Sequence, residues 1–150
     1  MIESFYWKQD LLSLIKKIEP KKSPRRWSEK LQVCIEKELI LSLFIIRKLI
    51  EVNRVSSITK TEKYHIYQAP AITDINNLNY QNIEQNYDYK QRKKVLKDVK
   101  FICNQFIHSK LVWAYRDTNR NWSGVITCSD FEIAKFIYDI PIELNFPKFC

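Results

Sequence analysis

The chain has 150 residues, 45% hydrophobic and 28% charged, a balance that suits one globular domain over 1–150 and excludes a disordered chain. Its formal net charge of +8 favours an anionic partner, with nucleic acid first and a membrane surface second. The single glycine excludes a glycine-rich phosphate loop and a dinucleotide fingerprint, and it favours helices over a many-stranded barrel.

Two helices are predicted in the first third of the chain. The first covers 4–18 and is stopped by Pro20, which cannot continue the hydrogen-bond ladder. The basic segment 21–26 is interpreted either as a solvated linker or as an arm that contacts phosphate. The second helix covers 28–54, with Ser28 as its cap. Its segment 38–46 is apolar nearly all the way round, so it must be covered by its own domain or by a second copy of the chain.

The middle of the chain is predicted to hold a strand, a loop and a helix. Alternation over 64–67 suits a short strand. The polar segment 73–89 has no sustained period and is predicted to be a long loop with one helical turn near Ile83. A helix is predicted over 95–109, opened by a run of basic residues. Its apolar stripe consists of Val95, Val99, Ile102 and Phe106.

The last third is predicted to contain a hairpin and a short helix. Segments 111–115 and 125–128 have the composition of strands, and turn-forming residues lie between them. A last helix is predicted over 131–138, ended by Pro141.

Asn104 and His108 are the candidate catalytic pair, because they lie one turn apart on the polar side of the predicted helix, together with Lys100. Histidine can take or give a proton near neutral pH, which RNA cleavage by the 2′-hydroxyl requires at both ends of the reaction. Asn104 offers an amide donor for the phosphate, and nearby lysines supply positive charge. The structural alternative is a satisfied, partly buried His108 at a helix C-terminus, where its charged form is favoured.

The segment Cys103-Asn104-Gln105-Phe106-Ile107-His108 resembles the signature of the HEPN family of helical nucleases and nucleic-acid-binding domains. That signature is an arginine, a polar residue, three variable residues and a histidine near the end of a long helix. The resemblance covers about 28–109 and includes the helix that ends in Arg47-Lys48-Leu49-Ile50-Glu51. Cys103 departs from it, because it stands at the arginine position and cannot supply a bidentate charge.

The resemblance implies a helical bundle that is frequently a homodimer, and many members are metal-independent ribonucleases of toxin–antitoxin and antiviral defence systems. The predicted fold is therefore mainly α (α+β), a HEPN-like bundle with a C-terminal hairpin extension at about 110–150 and a short final helix. In the predicted site His108 is the acid/base and Asn104 contacts phosphate or ribose. The supporting residues are Arg47, Glu51 and Cys103. The predicted nucleic-acid-binding residues are Lys93, Lys94, Lys97 and Lys100.

Three functions remain open on the sequence: an RNA-cleaving enzyme, a catalytically silent module that binds nucleic acid or protein, and a helical scaffold. Arg47 and Glu51 are equally open, as a surface ion pair or as support for a site residue. No cofactor and no metal site are predicted. The predicted partners are RNA, a second copy of the chain and an antitoxin or defence-system protein. Four cysteines without a Cys-x-x-Cys pair, no signal peptide and no apolar run of about 20 residues predict a cytoplasmic protein without a membrane partner.

Overall fold

The computed structural model describes residues 3–18 and 26–142, which form an α+β fold built on an antiparallel sheet. The helices are α1 (Ser4–Ile18), α2 (Glu29–Glu51), α3 (Ser57–Thr61), α4 (Ile83–Asn86) and α5 (Val99–Ile107), with a 3-10 turn at Tyr89–Gln91. The strands are β1 (Lys63–Pro70), β2 (Lys93–Asp98), β3 (Ser109–Arg116), β4 (Trp122–Ser129) and β5 (Phe136–Pro141).

The sheet has the strand order β2-β1-β5-β4-β3, so β2 and β3 are its edges. Helix α5 connects these two edge strands and packs against α2 and β4. The main core lies between α1, α2 and α5 on one side and a single face of the sheet on the other. The sheet contributes Tyr64, Ile66, Ala114, Val125, Tyr138 and Ile140 to this core.

We call the other side of the sheet the outer face. Residues that stand directly opposite each other on neighbouring antiparallel strands point to the same face. The register therefore aligns one residue from each strand in a row across the outer face. This row is Lys94, Tyr67, Asp139, Ile126 and Trp113.

The segment 71–92 covers one end of the outer face. Tyr87 pairs with Ala71 in an isolated bridge and donates a hydrogen bond of 2.7 Å from its hydroxyl to the carbonyl of Ile133. Together with Ala69, Cys128 and Ile137, Tyr87 forms a second, smaller core. The predicted loop over 73–89 is thus fixed to the sheet, and its predicted helical turn near Ile83 is confirmed by α4.

The first two predicted helices are confirmed. Ser28 caps α2 by accepting a hydrogen bond of 3.2 Å from the Leu31 N–H, as expected. The helix ends at Glu51 rather than Arg54, because Asn53 adopts a left-handed conformation with φ 57° that no α-helix contains. Most of the basic segment 21–26 lies outside the described residues.

The predicted HEPN-like helical bundle is wrong, because a five-stranded antiparallel sheet organises the described chain. The hairpin at 111–115 and 125–128 does form, as β3 and β4. It is not an extension of a helical domain, however, since β4 is an inner strand that pairs with β5 as well as with β3. The C-terminal third therefore supplies three strands of the sheet.

The predicted helix over 95–109 is wrong in its first third. Residues Lys93–Asp98 form β2, which pairs with β1 and places Val95 against the core. The helix starts only at Val99, because the Asp98 carboxylate accepts a hydrogen bond of 2.7 Å from the Phe101 N–H and caps it. Within the true helix, Val99, Ile102 and Phe106 are buried as the apolar stripe predicts.

The predicted final helix over 131–138 is also wrong. Residues 130–135 form turns, and Phe136–Pro141 is the central strand β5, between β1 and β4. Four successive residues of β5, 137–140, are buried because both faces of this strand are covered. A strand of this kind has a continuous apolar run instead of strict alternation.

Candidate nucleic-acid interface

The predicted catalytic pair lies at the C-terminal end of α5. His108 is the residue that ends the helix, and its backbone N–H donates to the Asn104 carbonyl at 3.1 Å. Its side chain is exposed, and its ring meets the exposed ring of Phe131 edge-on at 5.6 Å. Asn104 is half-buried. The imidazole of His108 is thus accessible, and among the described residues it forms no ion pair and no side-chain hydrogen bond.

The three supporting residues lie on two packed helices, with Arg47 and Glu51 in the last turns of α2 and Cys103 in the middle of α5. Arg47 donates to Glu51 at 2.8 Å, and Lys48 donates to the same carboxylate at 3.2 Å. These hydrogen bonds hold the pKa of Glu51 below its usual value, with Lys48 the larger cause. Burial raises the pKa of Cys103 to about 12, although the nearby Arg47 charge favours the thiolate. Arg47 and Glu51 therefore form an ion pair at the end of α2, and Cys103 is a buried, protonated thiol.

The four predicted nucleic-acid-binding lysines lie at the free edge of the sheet and at the start of the helix that follows it. Lys93, Lys94 and Lys97 lie on the edge strand β2, and Lys100 lies in the first turn of α5. Lys97 is half-buried, with its Nζ 4.4 Å from the ring centre of Phe101, and the other three are exposed. None of the four forms an ion pair with another residue in ranges 3–18 and 26–142. We call this group the basic edge.

A polar cluster on the outer face was missed in the sequence. Asp139 is only 8% exposed, and its two carboxylate oxygens accept from the Tyr115 hydroxyl at 2.6 Å and from Arg92 Nη1 at 2.9 Å. The guanidinium of Arg92 also stacks 4.2 Å from the ring centre of Tyr67. Burial, followed by the Asp139 hydrogen bond, raises the pKa of Tyr115. The cluster fixes an arginine in the middle of the outer face.

The only glycine of the chain makes room for this cluster. A Cβ on Gly124 would lie 2.5 Å from the Tyr115 hydroxyl and 2.9 Å from the Ile140 carbonyl oxygen. The phenol of Tyr115 can therefore cross β4 only because residue 124 has no side chain. One signal in the sequence points to this site, an aspartate within an apolar run; the sequence pattern places Gly124 in the turn before the predicted strand 125–128, whereas it lies within β4.

A cleft of about 410 Å³ opens on the outer face beside β3. One wall is Trp113, and the other is the segment 81–85, which runs from a turn into α4 and includes Ile83 and the acidic Glu84. The side chain of Trp113 lies on this face because its neighbours Val112 and Ala114 pack into the core on the other side. The indole is 52% exposed. No feature of the sequence had indicated this cleft, because its two walls are distant in the chain.

Within the described part of the chain, no three histidine, cysteine or acidic side chains lie close enough to hold a metal ion together. The helices of the described ranges include none with the length and apolar character needed to cross a bilayer.

Fold and site together define an α+β protein with its three longest helices, α1, α2 and α5, on one face of an antiparallel sheet and a lysine-rich edge strand. Comparisons with protein-family models, with curated proteins and with solved structures found no significant match to this chain. The HEPN resemblance remains a prediction that rests on its motif residues.

Proposed function

We propose that the protein binds RNA through the basic edge. The observation that carries this proposal is a group of four lysines, three on the edge strand β2 and one in the adjoining first turn of α5. They lack ion-pair partners among residues 3–18 and 26–142, in a chain of net charge +8. Unpaired cations can release the counterions of a phosphate backbone, and this release supplies most of the affinity of non-specific nucleic-acid binding.

The shape of the basic edge suits a polyanion. Lys93 and Lys97 are separated by four residues of extended chain, roughly 13 Å. Lys94 alternates to the outer face, and Lys100 continues the charge beyond the end of the strand. One nucleic-acid strand running along β2 can therefore reach several of these lysines at once. Lysine acts here as a point charge, so such contacts carry little sequence preference.

Lysines on an edge strand also have a structural role, because they discourage another strand from pairing with the free edge. This role and RNA binding are compatible. A measurement can separate the two roles. If the lysines protect the free edge, replacing them with neutral residues would promote self-association of the protein. If they bind RNA, the same replacement would weaken RNA binding.

The proposal concerns binding and does not include cleavage. His108 lies two helical turns beyond Lys100, roughly 12 Å along the axis of α5. Acid–base cleavage requires two proton transfers and a cation at the phosphate, so an isolated imidazole is an incomplete site. The homodimer and the antitoxin or defence-system partner remain predictions.

The test compares two variants with equal net charge. The first carries Lys93→Gln, Lys94→Gln, Lys97→Gln and Lys100→Gln. The matched control loses four exposed lysines from α1 and α2 instead, namely Lys16, Lys17, Lys30 and Lys37. Binding to a labelled single-stranded RNA is followed by fluorescence anisotropy over a salt series, with monodispersity checked by size-exclusion chromatography.

We expect the basic-edge variant to bind more weakly and its salt slope to fall by up to about 3, at roughly 0.7 per lost phosphate contact. The control should keep a slope close to that of the wild type. Equal weakening in both variants would mean that net charge alone drives binding, and no binding by the wild type at low salt would reject the proposal.

A further inference from the structure

We infer that the cleft between Trp113 and the segment 81–85 takes an unstacked base of single-stranded RNA. The inference rests on the proposed function and deepens it, because it adds a contact to the base where the basic edge contacts only the backbone. It also restricts the ligand to single strands, since the bases of a duplex are stacked on one another and cannot stack on a side chain.

Trp113 provides the platform for the base. Its ring is the largest side chain on the outer face of β3, and about half of it is exposed. An aromatic ring stacks with any base, a contact that contributes strongly to single-strand binding whatever the sequence. The cleft volume of about 410 Å³ lies at the small end of ligand sites, which suits one base rather than a large cofactor.

The opposite wall carries amide groups that are free to read a base edge. Within the described part of the chain, the side chains of Asn82 and Gln85 make no hydrogen bond, and both residues are exposed. An amide offers donors and an acceptor side by side, as the edges of bases require. Gln81 is already engaged, because its amide donates to the Tyr80 hydroxyl at 3.0 Å.

Cations on the outer face connect this cleft with the basic edge. Lys94 and Trp113 are the two ends of the row across the sheet, four strand spacings or roughly 19 Å apart. Arg92 lies between them, with 42% of its side chain exposed and its guanidinium held by Asp139 and Tyr67. Because this guanidinium is already held in place, it can donate hydrogen bonds to a phosphate with little further loss of side-chain entropy. A short single strand can thus cross the outer face from the basic edge to Trp113.

The test uses three probes of equal length: a single-stranded RNA, an abasic ribose-phosphate oligomer and an RNA duplex. The variants are Trp113→Ala and the conservative Trp113→Phe. The matched control is Tyr6→Ala, which removes another exposed aromatic ring, 63% exposed, from helix α1. Affinities and salt slopes are measured for every pair of protein and probe.

We expect the wild type to bind the single strand about tenfold more tightly than the abasic oligomer, because one base–aromatic stack is gained. Trp113→Ala should lower the single-strand affinity to the abasic level and keep the salt slope, Trp113→Phe should retain most of the affinity, and Tyr6→Ala should change neither. Tighter binding of the duplex than of the single strand would overturn the inference. Equal, salt-dependent binding of single strand and abasic oligomer would overturn it too and leave the proposed function intact, whereas no binding to either would reject both.

Discussion

The Tyr115 hydroxyl donates a hydrogen bond of 2.6 Å to Oδ1 of Asp139, and this bond links β3 to β5 across the intervening strand β4. The phenol reaches the carboxylate by passing over Gly124, its direct partner on β4. Since Arg92 occupies the second carboxylate oxygen, the nearly buried Asp139 has a partner on each side. The bond thus helps to fix the arginine that the proposed RNA path crosses.

Tyr115→Phe tests the strength of this link. The substitution keeps the ring and removes the hydroxyl, so the carboxylate of Asp139 loses one hydrogen bond in a largely buried position. We expect the free energy of unfolding to fall by about 1.5–3 kcal/mol, the usual range for hydrogen bonds to charged groups. Urea unfolding measures it, with Tyr6→Phe on the exposed side of α1 as the control. Equal stability of the two variants would contradict the role assigned to Tyr115.

Alkaline pH should destabilise the protein through the same phenol. In the folded state the pKa of Tyr115 is raised above its usual value of 10.0. The folded form therefore holds this proton more tightly, and the resulting stability is complete below pH 10 and is lost as the pH rises above it. We expect a smaller loss of thermal stability above pH 10 in Tyr115→Phe than in the wild type. Parallel curves of melting temperature against pH would contradict this.

Gly124→Ala should destabilise the fold by displacing Tyr115. The new methyl group would lie 2.5 Å from the hydroxyl, so the phenol must move and its bond to Asp139 must weaken. We expect a loss of about 1–3 kcal/mol, the range for overpacked sites. In a Tyr115→Ala background the same substitution should cost less, although the Ile140 carbonyl oxygen at 2.9 Å leaves some penalty. Additive losses in the double-mutant cycle would show that Tyr115 is not the obstacle.

Local patterns were sufficient for the elements whose signals lie within the element itself. Helix α2 has a serine cap and a long apolar repeat, and the hairpin of β3 and β4 has turn residues between two strand-like segments. These features need no knowledge of distant parts of the chain.

The strands β2 and β5 form by pairing with segments that are distant in the chain. For this reason the local sequence pattern wrongly predicted helices at both positions. Val95 continues the helical spacing of Val99, so the pattern alone gives no reason to end the helix between them; only the cap residue Asp98 marks the boundary. The outer-face cluster is equally non-local, because Arg92 and Asp139 are separated by 47 positions. Strand pairing within the sheet determines both where the helix begins and which residues meet in the cluster.

Thiol labelling should distinguish the cysteines in the folded protein. Burial raises the pKa of Cys103 to about 12 and that of Cys128 to about 11, so the reactive thiolate is scarce at both sites. Cys34 is only half-buried. We expect iodoacetamide at pH 8 to modify Cys34 well before Cys103 and Cys128, with peptide mass spectrometry as the readout and protein in urea as the control. Rapid labelling of Cys103 without denaturant would contradict the buried position of α5.

His108→Ala should leave both the fold and RNA binding intact. The side chain is exposed at the end of α5, and its loss removes only an edge-on contact with the exposed ring of Phe131. We expect a change in unfolding free energy within about 0.5 kcal/mol, as for most surface substitutions. Purified wild type and variant, incubated with labelled RNA, should both leave it uncut while binding it equally. Cleavage by the wild type that is lost in His108→Ala, but kept in Phe131→Ala, would instead make His108 a catalytic residue and would extend the proposed function from RNA binding to RNA cleavage.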